Sequence, residues 1–109
     1  MNQYPEKTCE IDRLIRQPKA IEVAKNGIKT QQRRDGIYGY PGEAFILDGV
    51  RFVMTALERK SLGDMTDSDA QAEGYSNLDA YKEVIIKMHP GMTWTPEALV
   101  WVHYFRKDT

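Results

Sequence analysis

Three cations stand close together in the segment Gly27-Ile28-Lys29-Thr30-Gln31-Gln32-Arg33-Arg34, among side chains that both donate and accept hydrogen bonds. Lys29 and Arg34 can engage phosphate or carbonyl oxygens, and Thr30, Gln31 and Gln32 offer the neutral groups that read base edges. Glutamine is also a common exposed strand residue. Lys29 and Arg34 are five apart, so on a flat strand they point to opposite faces, and one cavity takes both only if a bulge or strong twist intervenes. Glu73 is the second candidate. If a helix runs from Asp67 to Gly74, this carboxylate sits in the last turn, where the macrodipole disfavours an anion by some tenths of a kcal/mol. It is either a solvated glutamate tolerating that penalty or a carboxylate kept for a basic partner, for which Lys29 is the obvious choice. In a partly buried pocket the two would shift each other's pKa and could serve as an acid/base pair.

Tyr38, Tyr40 and Pro41 lie in the glycine-punctuated stretch Gly36–Gly42. Such tyrosines either give a stacking surface for a base or cap the open end of a barrel. His89 and His103 fall in different elements without ligand spacing, and Cys9 is the single cysteine, so neither a metal site nor an intramolecular disulfide is expected. His103, between Trp101 and Phe105, reads as a strand residue meeting a hydrogen-bond partner. No Gly-rich phosphate loop, nucleophile elbow or His-Glu helix motif occurs, and no cofactor is expected.

Fifteen basic residues against sixteen acidic ones, in a chain of 109, exclude a protein that grips long polyanions by bulk charge. The charge is segregated. Lys29, Arg33 and Arg34 form a basic window, whereas from Asp64 to Glu83 six acidic residues face the single Lys82. A local basic site beside an acidic stretch suits a small ligand or one nucleotide better than a duplex. The lone cysteine and the absence of a long apolar run fit a cytoplasmic protein without a membrane span.

The length suggests one domain, with residues 1–16 as an N-terminal arm holding a short element near Ile11–Ile15 and residues 17–109 as the domain proper. Pro18 opens a helix to Asn26, and Gly27 sits where a left-handed residue is needed after it. The segment behind that stop is expected to be a strand. Two β-rich runs, 44–47 and 50–57, are separated by Asp48-Gly49, the strongest short hairpin signal because both central positions of a type I′ turn need positive φ. Thr66-Asp67-Ser68-Asp69 has capping-box spacing with Gly74 as its stop, and Ser76-Asn77-Leu78-Asp79 starts a second helix that ends before Pro90-Gly91. Leu99–Phe105 has strand propensity on both faces, as in a strand covered on both sides. Trp94 is placed to close over a barrel mouth.

Taken together, Gly27-x-Lys29-Thr30-x-x-x-Arg34, Pro41-Gly42-Glu43 entering a strand, Asp69-Ala70-Gln71-Ala72-Glu73-Gly74-Tyr75-Ser76 before a Tyr-containing helix, and the strand closing at Phe105 resemble the ASCH domain family of the PUA-like superfamily. The resemblance covers about residues 17–106. It implies an α+β fold, a PUA-like mixed β-barrel with short helices packed at its ends, and a cleft beside the Gly-x-Lys segment used on RNA or nucleobase ligands. Gly27, Thr30, Gln32, Arg34, Tyr38 and Tyr40 are its candidate ligand-binding residues. A bacterial branch of the family hydrolyses N4-acetylcytidine with a lysine, a threonine and a glutamate. The lysine falls on Lys29 and the glutamate on Glu73, while the threonine position is Gln32, which has no activatable hydroxyl. Three functions therefore stay open: recognition of RNA or a modified nucleoside, amide hydrolysis with Lys29 and Glu73 catalytic, and a protein-interaction or regulatory module without a small ligand.

Overall fold

A computed structural model describes residues 4–91 and 93–108, so the first three residues of the arm, Met92 and Thr109 lie outside it. Four strands, β1 (Gln31–Arg34), β2 (Ala44–Leu47), β3 (Val50–Ser61) and β4 (Leu99–Lys107), form one sheet in the order β1-β4-β3-β2. Every pairing is antiparallel, and the sheet curls as half of a barrel. Three short helices, α1 (Pro18–Lys25), α2 (Asp67–Glu73) and α3 (Leu78–Met88), complete an α+β fold.

Local signals decide most of these elements. Asp48 and Gly49 carry φ of 51° and 80°, the turn that a two-residue hairpin between β2 and β3 requires. Thr66 accepts from the Asp69 backbone N–H while the Asp69 carboxylate accepts from that of Thr66, which starts α2, and Gly74 ends it at φ 105°. The Asn77 side chain caps α3. β4 lies between β1 and β3, so both its edges are paired, and Val102, His103 and Phe105 in its middle are buried.

The main core lies on one face of the sheet. Phe45, Phe52 and Phe105 pack against one another with ring centroids 5.5–5.9 Å apart, and Met54, Leu57 and Ile37 extend the cluster. The N-terminal arm is part of this core, because Leu14 and Ile15 are buried in it. Tyr4 stacks on Tyr40, whose hydroxyl donates to the Pro5 carbonyl, and the Thr8 N–H donates to Ile37 O. A smaller cluster of Met65, Ala70 and Tyr81 joins α2 to α3, and Trp94 packs there, edge-on to Tyr81.

One boundary departs from the sequence reading and matters for the site. The strand begins at Gln31, not at Gly27. The Ile28 and Lys29 N–H groups both donate to Val23 O at the end of α1, and the Thr30 N–H donates to Ala72 O of α2. Those bonds turn the chain toward the helices, so that the first bond to β4 is the one the Thr30 carbonyl accepts from Phe105 N–H.

Gly74 lies close against α1, since a Cβ there would meet Val23 Cγ2 at 3.0 Å as well as facing a positive φ. Gly74→Ala is expected to lower stability in urea unfolding by about 1–2 kcal/mol. An unchanged midpoint would show that neither the left-handed conformation nor the approach to Val23 is needed.

Candidate functional site

α1 stops at Gly27 and releases Lys29 toward the C-terminal end of α2, where Glu73 is the last helical residue. Lys29 Nζ donates to the Glu73 backbone carbonyl at 2.8 Å and to its Oε1 at 3.3 Å. A cation at a helix C-terminus and a carboxylate in that same turn thus neutralise each other, which answers the puzzle of an acid placed against the macrodipole. Arg33 completes the cluster from β1. Its Nη1 donates to Glu73 Oε2 at 2.9 Å and to Gln31 Oε1 at 2.8 Å, and Asp69 stands 3.8 Å from Nη2.

Lys29 and Glu73 are each 3% exposed and Arg33 6%. Burial pulls the Lys29 ammonium below its usual pKa, and nearby Arg34 and Arg33 add to that fall, while Glu73 opposes it. Asp69 feels burial in the opposite sense, but hydrogen bonds from Thr66 and Gln31 and the charge of Arg33 outweigh it and hold the carboxyl below its ordinary value. The phenols of Tyr75 and Tyr81 are pushed up by burial and by Glu73. Arg33 Nε is buried and has no partner among the described residues.

A cavity of about 560 Å3 opens beside this cluster. Lys29, Glu73, Gln32, Arg34 and Tyr38 all line it, so the structure brings these five sequence candidates together. Lys29 and Arg34 share it because Lys29 precedes the strand and is free of strand alternation. Arg34 is already committed on one side: its Nε and Nη2 donate to Leu14 O at 3.2 and 2.6 Å, and its guanidinium lies 5.3 Å from the Tyr38 ring centre. The remaining candidates lie elsewhere. Gly27 is the positive-φ residue after α1, Thr30 is exposed, and Tyr40 fastens the arm; none lines the cavity.

Sequence reasoning passed over Arg33, Tyr75 and Tyr81, which also line the cavity. The available signal was parity: with the strand starting at Gln31, Arg33 shares a face with Gln31 and Arg34 with Gln32. His103, fully buried, was read only as a strand residue. It accepts from the Tyr38 N–H through Nε2 at 3.0 Å, and Nδ1 lies 3.2 Å from the carbonyls of Gln32 and Trp101, so the ring is neutral with its proton on Nδ1. Burial lowers its pKa to about 4. Among the described residues that line the cavity there is no serine, threonine or cysteine, and the hydroxyls present are the phenols of Tyr38, Tyr75 and Tyr81.

No family model matches the sequence, and no curated protein is similar to it. Solved structures do match. An ASCH domain from Lactobacillus crispatus JV V101 superposes with a TM-score of 0.64 at 13% identity, over 81% of this chain and 69% of that one. The chain has the ASCH-domain fold. A DUF984 protein from Enterococcus faecalis V583 gives a TM-score of 0.57 at 21% identity, over 81% of this chain and 66% of that one. The ASCH-like fold thus persists here in a chain that spans about two thirds of these neighbours.

Two outcomes follow from the geometry. Glu73→Ala leaves Lys29 and Arg33 buried against each other and is expected to cost on the order of 3–5 kcal/mol in urea unfolding. A loss below about 1 kcal/mol would mean the cluster behaves as a solvated surface pair. For His103 the native pKa of about 4 lies below the ordinary histidine value of 6.5. The unfolded chain therefore takes up a proton first as pH falls, and the protein loses stability from pH 6.5 down to 4, by up to about 3 kcal/mol. In His103→Gln, which keeps an acceptor and a donor, that part of the pH dependence should vanish. A constant difference between the two proteins over this range would contradict the assignment.

Proposed function

We propose that this ASCH-fold domain binds a nucleobase or single nucleotide, free or within RNA, in the cavity beside Lys29 and Glu73. The lining chemistry carries the reading. Four cations (Arg16, Lys29, Arg33 and Arg34) face two carboxylates (Asp35 and Glu73) there, in a chain whose net charge is -1. That local surplus favours an anionic or carbonyl-rich ligand. Tyr38 supplies a ring for base stacking, and α3 adds Tyr81, Ile85 and Met88 to the lining. The volume suits one nucleotide and leaves no room for a duplex.

The Lys29–Glu73 contact also supports a second reading, hydrolysis of an acylated cytidine such as N4-acetylcytidine. There Lys29 would stabilise the oxyanion and Glu73 would activate water. Three features weigh against it. Gln32 replaces the threonine, Thr30 is exposed and turned to α2 through its backbone, and both Glu73 oxygens already accept bonds from Lys29 and Arg33. A protein-interaction role finds less support still: among the described residues the exposed large apolar side chains Ile28, Ile46 and Leu99 lie on separate segments, and only Ile86 and Met88 share one, the last turn of α3.

Calorimetric titration with uridine and cytidine monophosphates, and with short single-stranded RNA at two salt concentrations, tests the reading. Saturable binding is expected, weakened roughly tenfold to a hundredfold by Tyr38→Ala and clearly weakened by Arg34→Ala. Binding indifferent to both changes would refute it. Steady release of cytidine from N4-acetylcytidine, abolished by Glu73→Gln in a protein that still folds, would move the conclusion to the hydrolase.

A further inference from the structure

The backbone of β1 is unpaired along one edge, and that edge borders the cavity. β1 is the terminal strand of the sheet, bonded only to β4. The Phe105 N–H donates to Thr30 O in register with the ladder. Antiparallel pairing alternates with a period of two, so the backbone groups of Gln32 and Arg34 also face β4 and those of Gln31 and Arg33 face outward. Gln32, Arg33, Arg34 and Asp35 all line the cavity. Neighbouring side chains of a strand point to opposite faces, so a cavity touching Gln32, Arg33 and Arg34 reaches round the strand's edge, and Val100 of β4 and Leu62 in its lining carry it past the C-terminal end of β1.

Among the described residues the Arg33 N–H has no partner outside the ladder, and the Arg33 carbonyl accepts only the Gln32 side-chain Nε2, at 3.2 Å. Gln32 thus covers the acceptor of the very edge it belongs to.

We infer that the outward Arg33 N–H and C=O read the Watson–Crick edge of a nucleobase, with the Gln32 amide as the cover the base displaces. The inference rests on the binding reading above and specifies its ligand as an unpaired nucleotide. The outward donor and acceptor of one strand residue are complementary to the adjacent acceptor and N–H that a base presents, as in uracil O4 and N3–H. A base paired in a duplex has that edge occupied. A peptide adding as a strand fits less well: on this four-residue strand only Gln31 and Arg33 present outward backbone groups, and the cation surplus matches a nucleotide's phosphate.

The test uses the whole chain, uridine 5′-monophosphate and its N3-methyl derivative, with 15N NMR and calorimetry. Uridine monophosphate is expected to shift the Arg33 amide resonance and slow its hydrogen exchange about tenfold, and the N3-methyl compound to bind about tenfold more weakly. Gln32→Ala, which removes the cover and keeps the backbone, should bind as tightly as the parent or more tightly. Equal binding of the two nucleotides, or a tenfold loss in Gln32→Ala, overturns the edge reading while leaving nucleotide binding intact. Failure of every nucleotide to bind overturns the binding reading and this inference together. Protection of Arg33 by an extended peptide, with nucleotides inert, reassigns the edge to strand addition and overturns it as well.

Discussion

One buried carboxylate between two cations holds this molecule's functional end together. Glu73 joins Lys29 from the α1–β1 connection and Arg33 from β1, so α2 and a stretch of chain far from it in sequence meet on three contacts to Glu73 oxygens. Such a cluster is costly to bury and cheap only when complete, because each member compensates the desolvation of the others. It is also directional. Lys29 reaches the Glu73 backbone carbonyl as well as its side chain, which fixes the end of α2 against the start of the strand. The small apolar cluster around Tyr81 then stacks α3 on that support.

The cavity is what remains when these constraints are met. Thr30 is bonded to α2 and Phe105 of β4 to Thr30, so β1 enters the sheet late and as a short edge strand. Nothing among the described residues pairs with its outer side. α1 and the N-terminal arm pack on the main core, and α1 and α3 both contribute walls to the cavity beside β1. Arg34 ties the cavity to the arm through the Leu14 carbonyl, and His103 ties it to the Tyr38 loop through the Tyr38 N–H. Both ties run into the main core, which makes the wall a rigid one.

How far the sequence could be read follows from the range of the interactions involved. The β2–β3 hairpin, the α2 capping box, the Asn77 cap and the stops at Gly27 and Gly74 were all legible, because each is settled within a few residues by turn and cap chemistry. The pairing of Lys29 with Glu73 was legible too, as a carboxylate that its own helix could not explain. Arg33 was not. Choosing it over Arg34 needed the strand's first residue, and that depends on Val23 and Ala72 carbonyls contributed by two helices. Tyr40 looked like a stacking residue for the same reason: only the tertiary fold shows that Tyr4 and Pro5 occupy it. The arm's Leu14 and Ile15 carried too weak a periodicity to reveal that they fill the core.

Similarity to the ASCH domain of Lactobacillus crispatus at 13% identity establishes the shared fold and leaves the chemistry to this chain's own residues. Those residues offer a cation-rich trough, an aromatic wall and an unpaired strand edge, with no side-chain nucleophile of the serine, threonine or cysteine type among the described lining. A crystal structure of the domain grown with uridine 5′-monophosphate tests this account most directly. The base should lie beside Tyr38 with a polar atom at hydrogen-bond distance, about 2.9 Å, from the Arg33 backbone nitrogen. A nucleotide held away from β1, or ordered only on the outer face of the sheet, would contradict it.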